Sequence, residues 1–284
     1  MKRITILINC NDKEGIIANT TNFIHNNNGN IVYIDQYVDR ENGIFFMRLE
    51  SEFKKDTFFL SNFKEQFKKS IAIPFNMSWE VYEAGKKTRV ALFVSKYDHC
   101  LYDILGRYNS GELNAEIPFI ISNHPDLKPI ADSFKIDFHH IPVHKDNKKE
   151  AEARQLDLLK KENIELIVLA RYMQIVSGNI IAHYPTSIIN IHHSFLPAFV
   201  GAKPYHSAYK RGVKIIGATS HYVTEELDAG PIIEQDVTRV SHSHSINDLV
   251  MKGRDLEKIV LSTALKLHLE RKTMVYNNKT VIFT

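Results

Sequence analysis

The densest run of chemically capable side chains lies between Asn190 and Asp228: Asn190, His192, His193, Ser194, His206, His221, Glu225 and Asp228. Asn190 and His192 stand two apart, so in an extended strand both project to the same side. An amide donor beside an imidazole suits an oxyanion forming at a tetrahedral carbon. The same pair equally suits capping a strand end through backbone hydrogen bonds. Asp228 lies in Leu227-Asp228-Ala229-Gly230-Pro231. It is either an ordinary turn residue or a carboxylate that orients a water and exchanges protons with a neighbouring imidazole. His192, His193, His206 and Asp228 would also offer a zinc ligand set, although the helical His-Glu-x-x-His spacing is absent. Ser194 lacks the Gly-x-Ser-x-Gly elbow of a hydrolase nucleophile. His139, His140 and His144 read as packing and surface residues, and His242 and His244 as loop residues.

The elements that must position these side chains follow a strand–helix alternation from Arg89 onward. Residues 89–95, 116–122, 138–143, 166–169 and 187–191 are short apolar runs separated by helical patterns, which predicts a parallel sheet covered on both faces. Ligands bind outside the carboxyl ends of such strands. Ala170-Arg171-Tyr172-Met173-Gln174-Ile175 and Asn190-Ile191-His192-His193-Ser194 both lie there. Ser245, with Asp248 three residues on, starts a long final helix as a capping box, with a buried stripe of Leu249, Leu256, Val260, Ala264 and Leu267.

The first 83 residues have another rhythm, strand–helix–strand–strand–helix–strand. Residues 3–10 form the first strand, and Asn11 or Asp12 is placed to cap a helix burying Ile16, Ile17, Thr20, Phe23 and Ile24. The Asn-rich run Asn26–Asn30 stops that helix. Residues 31–39 and 44–50 form a hairpin turned at Asn42-Gly43. Asp56 is placed to cap a second helix with Phe59, Phe63 and Phe67 on one face and Lys68 and Lys69 at its C-terminal dipole. Residues 73–83 close the unit as a strand. This βαββαβ order is ferredoxin-like. The expected division is therefore 1–83, a linker at 84–88, and an open, mostly parallel α/β domain at 89–284.

Composition narrows the function classes. The 284 residues carry a formal net charge of +3, spread as −1 over the first 85 residues and +4 over the rest. That is no nucleic-acid footprint. Two cysteines, Cys10 and Cys100, make neither a disulfide framework nor a metal pair, which fits a reducing cytoplasm. No apolar run approaches the roughly 20 residues of a membrane span, and the amino terminus lacks a signal-peptide cleavage site.

The run Asn190-Ile191-His192-His193-Ser194-Phe195-Leu196-Pro197, with His206, Gly217-Ala218-Thr219-Ser220-His221 and Asp228-Ala229-Gly230-Pro231-Ile232-Ile233, resembles the folate-dependent formyltransferase family over residues 88 to about 270. The amino-terminal unit, with Asn11-Asp12-Lys13-Glu14-Gly15-Ile16-Ile17 at its first turn, resembles an ACT domain. The two together resemble the formyltetrahydrofolate deformylases, as do residues 37–39, 45–48, 95–101 and 140–143.

The resemblance implies hydrolysis of 10-formyltetrahydrofolate to formate and tetrahydrofolate, supplying formate for purine synthesis and balancing one-carbon pools. Asn190, His192 and Asp228 would be catalytic. Met173, Gln174 and Val176, with His221, Thr224 and Glu225, would hold the folate, His221 either supporting the site or packing under the loop. Asp228 would position a water, and either it or His192 would take the proton. No catalytic cofactor or metal is implied. Asp12, Gly15 and Ile16 would mark an amino-acid effector site, and ACT domains often pair into homo-oligomers. A cis Leu196–Pro197 bond, which suits a tight turn after the strand, is also implied by the resemblance.

One departure separates water from other acceptors. Glycinamide ribonucleotide formyltransferases cradle a phosphate on a glycine-rich loop after their first strand, whereas Val94-Ser95-Lys96-Tyr97-Asp98-His99-Cys100 holds no glycine. Bulky side chains there oppose close backbone approach to a phosphate. The alternatives are a formyltransferase with another acceptor and a regulatory binder without activity.

Overall fold

The computed structural model of the chain describes residues 1–197 and 204–284. It divides into two compact units, Met1–Lys86 with Ile282–Thr284, and Lys87–Val281.

The first unit runs β1 (Lys2–Asn11), α1 (Ile16–Asn26), β2 (Asn30–Asp39), β3 (Ile44–Phe53), α2 (Leu60–Phe67) and β4 (Ser78–Glu83). Its antiparallel sheet has the order β2-β3-β1-β4, the ferredoxin-like arrangement expected from the sequence. Alternate residues of β1, Ile4, Ile6, Ile8 and Cys10, share a face and meet Phe23 and Ile24 of α1 and Phe63 and Phe67 of α2 in one core. Phe23 meets Phe63 edge-on with ring centroids 5.4 Å apart, a favoured aromatic geometry.

The helix ends differ from expectation. Neither Asn11 nor Asp12 caps α1. The chain enters it through Gly15 in the left-handed conformation, φ 84°, which a residue without Cβ adopts at no steric cost. Ile17 therefore faces solvent. Nor does Asp56 cap α2, which starts at Leu60, leaves Phe59 exposed and continues as a π-helical turn, Lys68–Ala72. Lys68 and Lys69 thus lie in the π-helical turn that continues the helix, with Lys69 in its last turn. The last strand starts at Ser78, not Ile73, because Pro74 lacks a donor and Met77 N–H closes the helix onto Ala72 O at 2.8 Å.

The second unit runs β5 (Thr88–Val94), α3 (His99–Asn109), β6 (Ala115–Glu116), β7 (Phe119–Ser122), α4 (Lys128–Ser133), β8 (Asp137–His140), α5 (Lys148–Lys161), β9 (Leu166–Leu169), α6 (Gly178–His183), β10 (Ile188–His192), α7 (Pro204–Arg211), β11 (Ile215–Tyr222), β12 (Ile232–Arg239), α8 (Ile246–Leu269) and the hairpin β13 (Thr273–Tyr276) with β14 (Lys279–Ile282). The main sheet has the order β12-β11-β10-β9-β5-β7-β8. Pairing is parallel from β10 to β8 and antiparallel at β10–β11 and β11–β12. Pro118 splits the expected 116–122 strand in two, since proline cannot donate to a ladder.

Every residue from Val90 to Val94 is fully buried, because helices cover both faces. Ala91, Phe93, Ile167, Leu169 and Ile188 face α5 and α6. The opposite face carries α8, which packs on β10, β11, β12, α3 and α7. The Ser245–Asp248 capping box starts α8 as expected. Its last buried residues are Leu265 and Leu269, while Leu267 is only half-buried. Among the described residues, no helix is long and apolar enough to cross a membrane.

Candidate active site

Three side chains meet on one sheet face because of strand register. Asn190 lies two residues beyond Ile188 on β10, so it shares the face turned to α5 and α6. Across the sheet it pairs with Leu169 on β9 and His221 on β11. The Asn190 amide lies 3.2 Å from His221 Nε2. His221 Nδ1 lies 2.9 Å from the Tyr222 carbonyl, which can only accept. The proton of a neutral ring is thereby placed on Nδ1, and Nε2 receives an Asn190 N–H. That leaves the amide's other N–H for a ligand.

His192, one step further along β10, is buried. Its Nδ1 is 3.2 Å from Asp228 Oδ2, and His221 Nε2 is 3.7 Å from Asp228 Oδ1. Hydrogen bonding from His192 holds the Asp228 carboxyl well below the usual carboxylate range, against the opposing effect of burial. His192 Nε2 is buried with no hydrogen-bond partner. An orphaned ring nitrogen opposite an ion-paired one is poised for a reacting group.

Asp228 reaches this position from a folded-back loop. It takes the left-handed conformation, φ 55°, which aspartate tolerates. Tyr222 N–H donates to Pro231 O at 2.9 Å, clamping the loop's ends. A Cβ on Gly230 would lie 1.8 Å from Tyr222 O, so only glycine permits the closure.

A cleft of about 330 Å³ opens over these groups. Its other walls are Arg171–Val176, after β9, and Val223–Leu227, after β11. Buried polar groups tie down the first wall: Met173 N–H donates to Ser95 Oγ at 2.9 Å, Ser177 N–H to Glu152 Oε1 at 3.0 Å, and Gln155 Nε2 to Tyr172 OH at 3.1 Å. Met173, Ile175 and Leu227 expose apolar side chains at the cleft, suited to a flat aromatic ring. The turn after β10 contains a cis Leu196–Pro197 bond. Thr219 Oγ1 holds it by accepting from Leu196 N–H at 3.0 Å and donating to Ser194 O at 2.9 Å.

Comparison with known proteins locates this arrangement. The sequence pattern of the formyl transferase family matches residues 88–265. The chain belongs to the formyl transferase family. A formyltetrahydrofolate deformylase of Synechocystis is 52% identical over 280 residues, 98% of each chain. A crystal structure of a formyltetrahydrofolate deformylase from Pseudomonas syringae superposes with a TM-score of 0.96 and 48% identity, covering 100% of this chain and 95% of that one. A glycinamide ribonucleotide transformylase from Symbiobacterium toebii has a TM-score of 0.67 and 27% identity, covering 72% of this chain and 97% of its own. The family's deformylase members thus match both units.

Within this family frame, the cleft brings together Asn190, His192, His221 and Asp228 with Met173, Gln174, Val176, Thr224 and Glu225. His193 lines it too. His206 points to solvent from α7, so the zinc set that included it does not converge. Asp12 and Gly15 are exposed in the first unit, and the Ile16 side chain lies in its core.

Sequence reading missed the buried polar groups behind the cleft, chiefly His99, Arg171, Tyr205 and Glu257. His99, Cys100 and Glu257 bring ligand-type atoms within 4.8 Å of one another. However, Arg171 Nε stands 3.3 Å from Glu257 Oε2, and burial pushes the Cys100 thiol well up. A fixed cation and a neutral thiol make poor company for a metal ion.

Proposed function

We propose that the protein hydrolyses 10-formyltetrahydrofolate to formate and tetrahydrofolate, with Asn190, His192 and Asp228 as the catalytic groups. The observation that carries this reading is the His192–Asp228 pair, 3.2 Å apart, whose free Nε2 shares a cleft with Asn190. Asp228 is ionised and a weak base, so it accepts a hydrogen bond from His192 Nδ1–H and leaves the lone pair on Nε2. Nε2 takes a proton from water as the water oxygen bonds to the formyl carbon. The resulting oxyanion is stabilised by the Asn190 N–H and the imidazolium. The carbon–N10 bond then breaks, N10 takes the proton from His192, and the second water proton leaves as formic acid ionises. The pterin lies between the Met173–Val176 and Thr224–Leu227 walls.

Water as acceptor is supported by the segment after β5. Arg171 stacks over the Tyr97 ring at 4.8 Å, and the His99 imidazole lies 2.7 Å from Glu257. Side chains thus crowd the place where the family's transferases carry a phosphate-cradling loop. Incubation with 10-formyltetrahydrofolate and no added acceptor should yield equal amounts of formate and tetrahydrofolate. Formate release that requires an amine, or no turnover at all, would replace this reading with a transferase or a binder. The same reading includes an amino-acid effector at Asp12, Gly15 and Ile16 and self-association through the first unit, with cytoplasmic residence and no catalytic cofactor.

A further inference from the structure

Glu257 is the most deeply enclosed carboxylate among the described residues, at 1% exposure, and the reaction as written does not use it. It lies on α8, on the sheet face opposite Asn190. Three elements converge on it: His99 Nε2 of α3 at 2.7 Å, Tyr205 OH of α7 at 2.6 Å, and Arg171 Nε at 3.3 Å. Burial works against its charge, yet the His99 hydrogen bond, the Arg171 charge and the Tyr205 hydroxyl outweigh burial and hold its carboxyl below the ordinary value. Tyr205, its own ionisation driven up by burial and by Glu257, stays a donor. The approach of α7 depends on Gly253, where a Cβ would lie 2.0 Å from Tyr205 OH.

One of these partners borders the cleft, and a second packs against a residue that does. Arg171 is the first residue of the Arg171–Val176 wall and takes the left-handed conformation, φ 64°. Tyr205 packs edge-on against His193, with centroids 5.9 Å apart, next to His192. A left-handed arginine is unfavourable without an anchor, and Glu257 supplies one from across the sheet.

We infer that Glu257 is a positioning residue for the folate cleft, acting through Arg171 to hold the wall that grips the substrate. This rests on the proposed hydrolysis, so wild-type formate release is measured first; without it the functional reading fails independently of Glu257. Removing the anchor loosens a binding wall and leaves the reacting groups in place, so the effect falls on KM. Glu257→Gln should raise KM for 10-formyltetrahydrofolate about tenfold with kcat changed less than about threefold, well inside the 100-fold that a 1 Å misplacement can cost. Added to Arg171→Met, Glu257→Gln should raise KM less than about twofold further, since two residues acting through one contact are non-additive.

A merely structural Glu257 gives the same KM factor in both backgrounds, or a lower melting temperature with KM unmoved. Either result overturns the inference. If Glu257→Gln alone does not fold, the paired variant removes both charges and the cost of an unpaired buried one. Its KM then decides: equality with Arg171→Met supports the anchor, and a further rise above about twofold refutes it.

Discussion

Replacing Asp228 with asparagine isolates the charge of the proposed catalytic pair. The substitution preserves volume. The amide oxygen can still accept from His192 Nδ1, while its NH2 faces His221 Nε2, already an acceptor. What disappears is the negative charge 3.2 Å from the His192 ring. Two unit charges at that distance interact by about 5 kcal/mol at an effective dielectric of about 20. Each 1.4 kcal/mol is worth about tenfold in rate, so the loss should be about 1,000- to 10,000-fold. The same replacement in the Asp–His pair of serine proteases costs about 10,000-fold. The interaction is gained only when His192 carries the water proton, so the loss belongs to kcat, with KM little changed. Formate release under saturating 10-formyltetrahydrofolate measures it, and the melting temperature checks the fold. A folded Asp228→Asn protein within about tenfold of wild-type kcat would show that the imidazolium needs no counter-charge, and the mechanism would have to be rebuilt.

Asn190→Ala removes an oxyanion donor and should lower kcat about 100- to 1,000-fold; a loss confined to KM would make Asn190 a binding group instead. His268 gives a prediction in pH. Burial, with Arg271 adding to it, drives its pKa down to about 3, against about 6.5 in the unfolded chain. As pH falls, the unfolded chain takes up the proton first, so this contribution to stability is complete above pH 6.5 and declines between 6.5 and 3. Between pH 7 and pH 5 the decline is about 2 kcal/mol, an upper bound because part of the ring remains accessible. His268→Asn keeps an acceptor for the Tyr222 hydroxyl, which lies 2.8 Å from Nδ1, and should flatten the slope in urea unfolding. Equal slopes in both proteins would place the proton uptake elsewhere.

The face that carries Asn190 and His192 was legible because strands repeat every two residues. Asn190 and His192 share a side wherever β10 lies in the sheet, and the loops after β9 and β10 emerge at carboxyl ends whatever the details of packing. Helix starts were less legible, since local cap signals at Asp12 and Asp56 competed with Gly15 and with the pull of Phe63 and Phe67 into the core. The polar cluster behind the cleft was not legible. Glu257 and His99 are 158 residues apart, and within α8 alone Glu257 reads as an ordinary polar position. The sequence did hold one sign of them. Gly253, one turn before Glu257, costs a helix interior about 1 kcal/mol relative to alanine. Such a cost persists where something must come close, here the Tyr205 hydroxyl. Gly230 carries the same message at the Asp228 loop, where the Tyr222 carbonyl occupies the space of a side chain. In both places a glycine records a tertiary approach that periodicity cannot express, and each approach ends beside a carboxylate that holds an imidazole.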